Sequence, residues 1–283
     1  MHHLNSELPQ SQAFLTMLRS GPGFIGWKTP GGRYQQEAFA TVLEALAIIA
    51  AHRHEANIWC SMADFSPGTS REAENALSLK TFWLDRDAHG PCQTPDDAFG
   101  AVYAFVAAAG LPNPDYMHMT GHGAHAFWVL PEPISKAEWQ PVANDLQELA
   151  KRMNLGADPI TADAARILRV PGTYNFRDPD NPIETVLHEG KAGYTDLLSF
   201  HDAIKAALSK YPAPPPKPNK PVTSGIPDTP ENVELVKAML NVITPDCDYL
   251  HRNGAGTQPQ RYLARAQCDL RSQARLRGRV PSQ

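Results

Sequence analysis

Two carboxylates one residue apart, Asp85 and Asp87, close an apolar run in "SLKTFWLDRDAHG", residues 78–90. On a β-strand, residues i and i+2 share a face, with Cα atoms roughly 6.5–7 Å apart. Carboxylates so placed can bracket one divalent cation, or bridge two about 3.5–4 Å apart as in phosphoryl-transfer sites. Arg86 falls on the opposite face and need not neutralise them. A buried acid pair is costly to desolvate without a cation. Exposed acids in a strand-to-loop turn need none, and Asp is common there.

A second group lies in "MTGHGAHAFWVL", residues 119–130. Gly121 and Gly123 flank His122 and allow close approach of a ligand to the backbone, whose amides can cradle phosphate. His125 opens an aromatic strand, where its ring can donate to a phosphate oxygen. His122 and His125 are three apart and face opposite sides of a strand, which disfavours a two-His metal clamp. A β-turn carrying a surface histidine has the same pattern.

The third group is "GADPITADAARILRVPGTYNFR", residues 156–177. Asp158 follows a small-residue turn and could reach the cation of the acid pair. A short helix is expected near 162–169, with Arg166 and Arg169 one turn apart and serving one anionic surface. "VPGT" then breaks the helix, and Asn175 and Arg177 follow. Such a basic, polar cluster suits triphosphate or a nucleic-acid backbone; an amphipathic helix with solvated arginines is the plainer reading. Asp163 is the other acid of the segment, better suited to balancing a helix dipole than to being the third metal ligand. Together the three groups supply what metal-dependent nucleotidyl transfer requires: carboxylates for metal, and His and Arg for triphosphate.

The elements that must position these residues alternate in type. Helical patterns are expected in "SQAFLTMLRSG", in "QQEAFATVLEALAIIAAHRH", after Thr94, and after the Ser135-x-x-Glu138 capping box. A last one is expected in "TDLLSFHDAIKAALSK". "GFIGWKT", "NIWCSMADF", "KTFWLDRD", "DYMHMTG", "AHAFWVLPEPI" and "IETVLHEG" read as strands. The order suggests an α/β or α+β sheet protein rather than a barrel.

The 283 residues are 42% apolar and carry a net charge of −4, which hides an asymmetry. Residues 251–283 hold seven arginines and one acid, Asp269, leaving 19 basic against 29 acidic residues, or −10, over 1–250. A body so charged does not attract nucleic acid through its overall field, so any such binding must use a local groove. Four scattered cysteines without a C-x-x-C pair argue against disulfides and zinc knuckles, and His89-x-x-Cys92 lacks a second pair. No apolar run suits a membrane span or a signal peptide, so a cytoplasmic protein is expected. The proline-dense segment 211–230 is expected to be an extended linker and a domain boundary.

In order and content, "FWLDRD", "TGHGAHAFW" and "ADPITADAARILRVPGTYNFR" resemble the three motifs of the archaeo-eukaryotic primase superfamily, especially the primase-polymerases of phages and plasmids. The likeness covers roughly residues 10–210. It implies a two-part core, an N-terminal α/β unit packed on a sheet resembling an RNA-recognition motif, with the active site between them. It implies Asp85, Asp87 and Asp158 as catalytic metal ligands for Mg²⁺ or Mn²⁺. His125, Arg166, Arg169, Asn175 and Arg177 match its nucleotide-binding residues. Many members place Ser ahead of the histidine; here Thr120, Gly121 and Gly123 stand in that region, and the contact passes to Thr120 or backbone. The implied domains are a core over 1–210, the linker, and over 231–283 the start of a helical module, up to about Leu250, followed by an Arg-rich tail. The implied partners are single-stranded DNA, NTP or dNTP and a separately supplied replicative helicase, in a prokaryotic host. A replication-initiator domain that only binds DNA, and a D-x-D sugar-nucleotide transferase, are the alternatives. Rolling-circle nucleases are disfavoured because they need alternate histidines and a nucleophilic tyrosine.

Overall fold

The computed structural model describes residues 8–90, 92–158, 162–190, 193–213 and residue 234. All but the last belong to a compact unit, Met1–Pro215. The Pro-rich stretch from residue 214, the expected helical module and the Arg-rich tail lie outside the described residues, apart from Glu234.

The chain opens with α1 (Pro9–Leu18), whose first residue is a proline that needs no helical hydrogen-bond donor there. Then β1 (Gly23–Lys28) and β2 (Gln35–Phe39) form an antiparallel hairpin, Trp27 opposite Gln35 and Gly23 opposite Phe39. The sequence reads residues 35–54 as one helical stretch, but the helix is α2 (Val42–His52) alone. Thr41 caps it, accepting from the Glu44 N–H, and the preceding five residues pair with β1 as an edge strand. Pairing across space overrides the local period there.

Next come β3 (Asn57–Ser61), β4 (Asp64–Phe65) and the long β5 (Ala76–Asp87). After β5, α3 (Pro95–Ala109) starts at a Thr94–Asp97 capping box and ends at Gly110 in the left-handed conformation. Then β6 (Tyr116–Met119) and β7 (Gly123–Ser135) form a hairpin, and Ser135 caps α4 (Lys136–Arg152). The final elements are β8 (Ile167–Arg169), β9 (Tyr174–Asn175), β10 (Ile183–Glu184), β11 (Val186–Glu189) and α5 (Leu197–Lys210).

The expected helix over 162–169 is absent. Residues 167–169 instead pair antiparallel with β3, Trp59 opposite Arg169 and Ser61 opposite Ile167. A turn precedes them, closed by Arg166 N–H donating to the Asp163 carbonyl (3.0 Å).

Two sheets result, one ordered β2-β1-β3-β8 and one ordered β11-β6-β7-β5-β4, with β10-β9 as a short ribbon. This is the mixed α/β architecture expected from the sequence. On one face of the five-stranded sheet, Trp139 of α4 stacks on Phe82 and its Nε1 donates to the Thr81 carbonyl (2.8 Å). Phe200 of α5 packs against Phe82 and Trp128 on that face. Phe14 of α1 meets Phe127 on the other. A buried arginine ties the first sheet to β4: Arg19 pairs with Asp64 at 2.9 Å and donates to the Ser61 and Ala63 carbonyls. No helix among the described residues is long and apolar enough to cross a membrane.

Candidate active site

Between the two sheets lies a cavity of about 330 Å³. Alternation along β5 turns Asp85 and Asp87 into it and Arg86 away, toward the helices. From β7, which pairs with β5, His125 stands opposite Asp85. Its Nε2 lies 3.4 Å from an Asp85 carboxylate oxygen. Gly123, opposite Asp87, does not line the cavity. A Cβ there would lie 2.5 Å from the Arg86 carbonyl oxygen, so this glycine lets two strands approach rather than a ligand.

Thr120 and His122 also line the cavity. His122 therefore reaches the same space as His125, contrary to strand alternation, because it sits in the turn before β7 rather than on it. Partial burial and the charges of Arg177 and Arg169 hold the His122 imidazole below its ordinary pKa, against the opposing pull of Asp87 and Asp178.

The opposite wall comes from β3 and the segment after Asp163. Arg166, Arg169, Asn175 and Arg177 line it. Arg169 donates to Asn57 Oδ1 (2.8 Å), and its guanidinium lies 5.3 Å from the centre of the Trp59 ring. Burial lowers the Arg169 pKa to about 10 against the raising effect of Asp85 and Asp87, so it stays cationic at neutral pH. Asn175 Nδ2 donates to the Thr120 carbonyl (2.7 Å), and its Oδ1 accepts from the Arg177 N–H (3.0 Å). Asn175 thus fastens the third segment to the turn before His122.

Asp158 is docked beside the acid pair, its N–H donating to the Asp85 carbonyl (2.8 Å), but its side chain does not line the cavity. One Arg166 nitrogen contacts Asp158 Oδ2 and lies 3.3 Å from Asp85 Oδ2. Asp163 lies elsewhere, its Oδ1 accepting from the Ala165 N–H (2.9 Å) in the turn before β8. Burial pushes the Asp85 carboxyl up, but the charges and hydrogen bonds of His125 and Arg166 outweigh it and the net direction is down. Among the described residues no group of three or more His, Cys, Asp or Glu is placed to hold a metal ion. The donor chemistry nonetheless suits a hard cation: Asp85 and Asp87 present carboxylate oxygens to one open cavity, the ligand type Mg²⁺ and Mn²⁺ prefer.

Asn57 and Trp59 were missed by sequence reasoning. Their signal was the i, i+2 spacing of a polar and an aromatic side chain on β3, both half-buried in the strand. His118, also missed, sits opposite His125 on β6, fully buried with neither ring nitrogen hydrogen-bonded.

Over 72% of its length the chain superposes on the archaeo-eukaryotic primase (AEP) domain of cyanophage S-2L primase-polymerase, covering 97% of that domain, with a TM-score of 0.51 at 16% identity. The fold is that of a primase-polymerase core. Primase RepB′ superposes over 72% of this chain and 62% of its own at 14% identity, but its TM-score of 0.48 adds no weight. In sequence, the chain is 29% identical over 152 residues to a replication protein of Clostridium perfringens. That match spans 53% of this chain and 36% of the relative. No family model matches. Within the primase-polymerase fold the cavity lies where the two sheets meet.

Proposed function

We propose that this chain is a DNA primase-polymerase: a metal-dependent nucleotidyltransferase that makes or extends primers on single-stranded DNA. The observation that carries this reading is the convergence of Asp85, Asp87, His125, Arg166 and Arg169 on one cavity between the two sheets. The fold shared with a primase-polymerase and the replication protein similar in sequence support it.

In this reading Asp85 and Asp87 hold the cation, Mg²⁺ or Mn²⁺, and Asp158 joins them as the third carboxylate only once Arg166 releases it. Such a cation, when bound, supplies Lewis-acid activation of a primer 3′-hydroxyl and charge neutralisation at the leaving pyrophosphate. His125 and Arg169 grip the incoming triphosphate from opposite walls, aided by Arg177 and the turn at Thr120. Arg166 exchanges its acid partners for phosphate oxygens, a bidentate role suited to guanidinium. The Trp59 ring holds the Arg169 guanidinium by a cation–π contact. The template and a separately supplied helicase complete the set of partners.

The test is incorporation of labelled nucleotide on primed and unprimed single-stranded templates with Mg²⁺ or Mn²⁺. Metal-dependent product is expected, and loss of it in Asp85→Ala and Asp87→Ala with an unchanged circular dichroism spectrum. His125→Ala is expected to weaken nucleotide use more than template binding; an unchanged nucleotide dependence removes that residue from the triphosphate site. A second reading, a DNA-binding replication domain without catalysis, is favoured by one observation: Arg166 lies between Asp85 and Asp158 where a cation could sit. Template binding without product under any metal condition selects that reading.

A further inference from the structure

Behind the acid pair, between α3 and the turn after α4, lies a second cavity of about 460 Å³. This is within the range of small-molecule sites, about 300–1,000 Å³. Arg86 forms part of its wall and is only 2% exposed. Among the described residues the guanidinium meets two backbone carbonyls and a ring nitrogen: the Asp87 carbonyl, the His89 carbonyl (3.2 Å) and, at 3.4 Å, the His89 Nε2. Its Nε–H has no acceptor, and no carboxylate among the described residues pairs with it.

Arg19 shows how the same unit otherwise treats a buried guanidinium. It meets Asp64 at 2.9 Å, with the two side chains 3% and 7% exposed. A buried cation without an anion is costly, so Arg86 stands out.

The chain also shapes its backbone around this group. Gly156 is left-handed at φ +72°, and a Cβ there would come 3.3 Å from the Arg86 Cζ. Asn154, two residues earlier, is the one non-glycine residue with positive φ among those described, at +56°. The rest of the wall is apolar: Ala104, Phe105 and Ala108 from α3, and Met153 and Leu155 after α4.

We propose that this cavity is a binding site for a small organic anion. Its acid group, carboxylate or phosphate, pairs with Arg86, and its apolar body lies against α3. The site stands on the face of β5 opposite the acid pair and does not depend on the nucleotidyltransferase reading.

The test uses hexanoate, hexyl phosphate and the uncharged hexanol as probes of the full chain, by calorimetry and thermal shift. Saturable binding of one or both acids, with none of the alcohol, is expected, and the acid that binds identifies the head group. Arg86→Met is expected to weaken that binding by roughly 30-fold or more. Ala104→Trp, which keeps Arg86 and fills the cavity from α3, is expected to abolish it. This second variant keeps the test valid if the first fails to fold, and it separates the site from the front cavity. Equal binding of the alcohol, binding unchanged by Ala104→Trp, or no saturable binding of either acid overturns the proposal.

Discussion

The end of β5 carries opposite charges on its two faces, and the surroundings answer them differently. In front, Asp85 and Asp87 face a cavity that also receives His125, Arg166 and Arg169. Behind, Arg86 meets carbonyls and an imidazole but no acid among the described residues. The Arg19–Asp64 pair is a third case, a cation sealed with its anion in the core. A charge meant only to hold the fold is closed off with its partner, as with Arg19. In the two proposals above, the charges that meet something from outside are the ones left half-compensated beside a cavity.

The sharpest way to break this comparison is to remove each arginine. Arg19→Met strands Asp64 as a buried unpaired carboxylate, and a loss of about 3–5 kcal/mol is expected in urea denaturation. Arg86→Met strands no charge, only carbonyl acceptors, so a change within about 1 kcal/mol is expected. Equal losses in the two variants would mean that Arg86 is as much a structural group as Arg19.

Arg166→Met tests the front. Arg166 is 21% exposed as a side chain and its partners Asp158 and Asp85 are 28% and 14% exposed, so a cost of about 1 kcal/mol is expected near neutral pH. The pH dependence has a definite sign. The Asp85 carboxyl is held below its ordinary value, so its contribution is present above the ordinary Asp range and is lost as pH falls through the lowered folded value. With Arg166 gone that loss moves up toward the ordinary range, readable from the Asp85 carboxyl carbon by NMR. An unmoved titration would show that His125 alone sets it.

Gly156→Ala probes the rear. A left-handed φ disfavours alanine, and the new methyl would crowd the Arg86 guanidinium. A loss of about 1 kcal/mol is expected. No loss would mean that the turn after α4 yields easily, and with it the wall around Arg86.

Much of this arrangement was legible in the sequence because it is local. The i, i+2 spacing of Asp85 and Asp87 required only that β5 be a strand, and the short apolar run of "KTFWLDRD" between turn residues indicated one. The capping boxes at Thr94 and Ser135 marked two helix starts residue by residue. What failed was pairing over distance. Gln35–Phe39 is exposed over four of five residues and carries no inward period of its own, so nothing separates it from the helix that follows except its partner β1. Ile167–Arg169 is three residues long, too short to show any period, and is a strand because β3 lies beside it. Arg166 and Arg169 still line one cavity, but through a turn and a strand rather than one helical turn. Asn57 and Trp59 could not be placed without that same pairing. The side to which Arg86 points was readable from alternation; that no acid among the described residues pairs with it there is a tertiary fact.

The smallest expected effect concerns the layer behind the front cavity. His118 lies opposite His125 with ring centres 5.2 Å apart and is wholly buried. Burial, with the charge of His125 adding to it, holds its imidazole well below the ordinary value. The folded protein therefore refuses a proton that the unfolded chain accepts. Stability is complete above the ordinary His range and falls as pH drops through it. His118→Phe removes that titration while keeping an aromatic ring in contact with Phe14. Near neutral pH the variant is expected to match the parent closely. As pH falls through about 6.5 the parent should lose stability relative to the variant, the gap growing in paired denaturation curves. A constant gap across that range would mean that His118 finds a proton acceptor in the folded state. The layer behind His125 would then be polar, and the front acids, like Arg86, would be backed by polar groups.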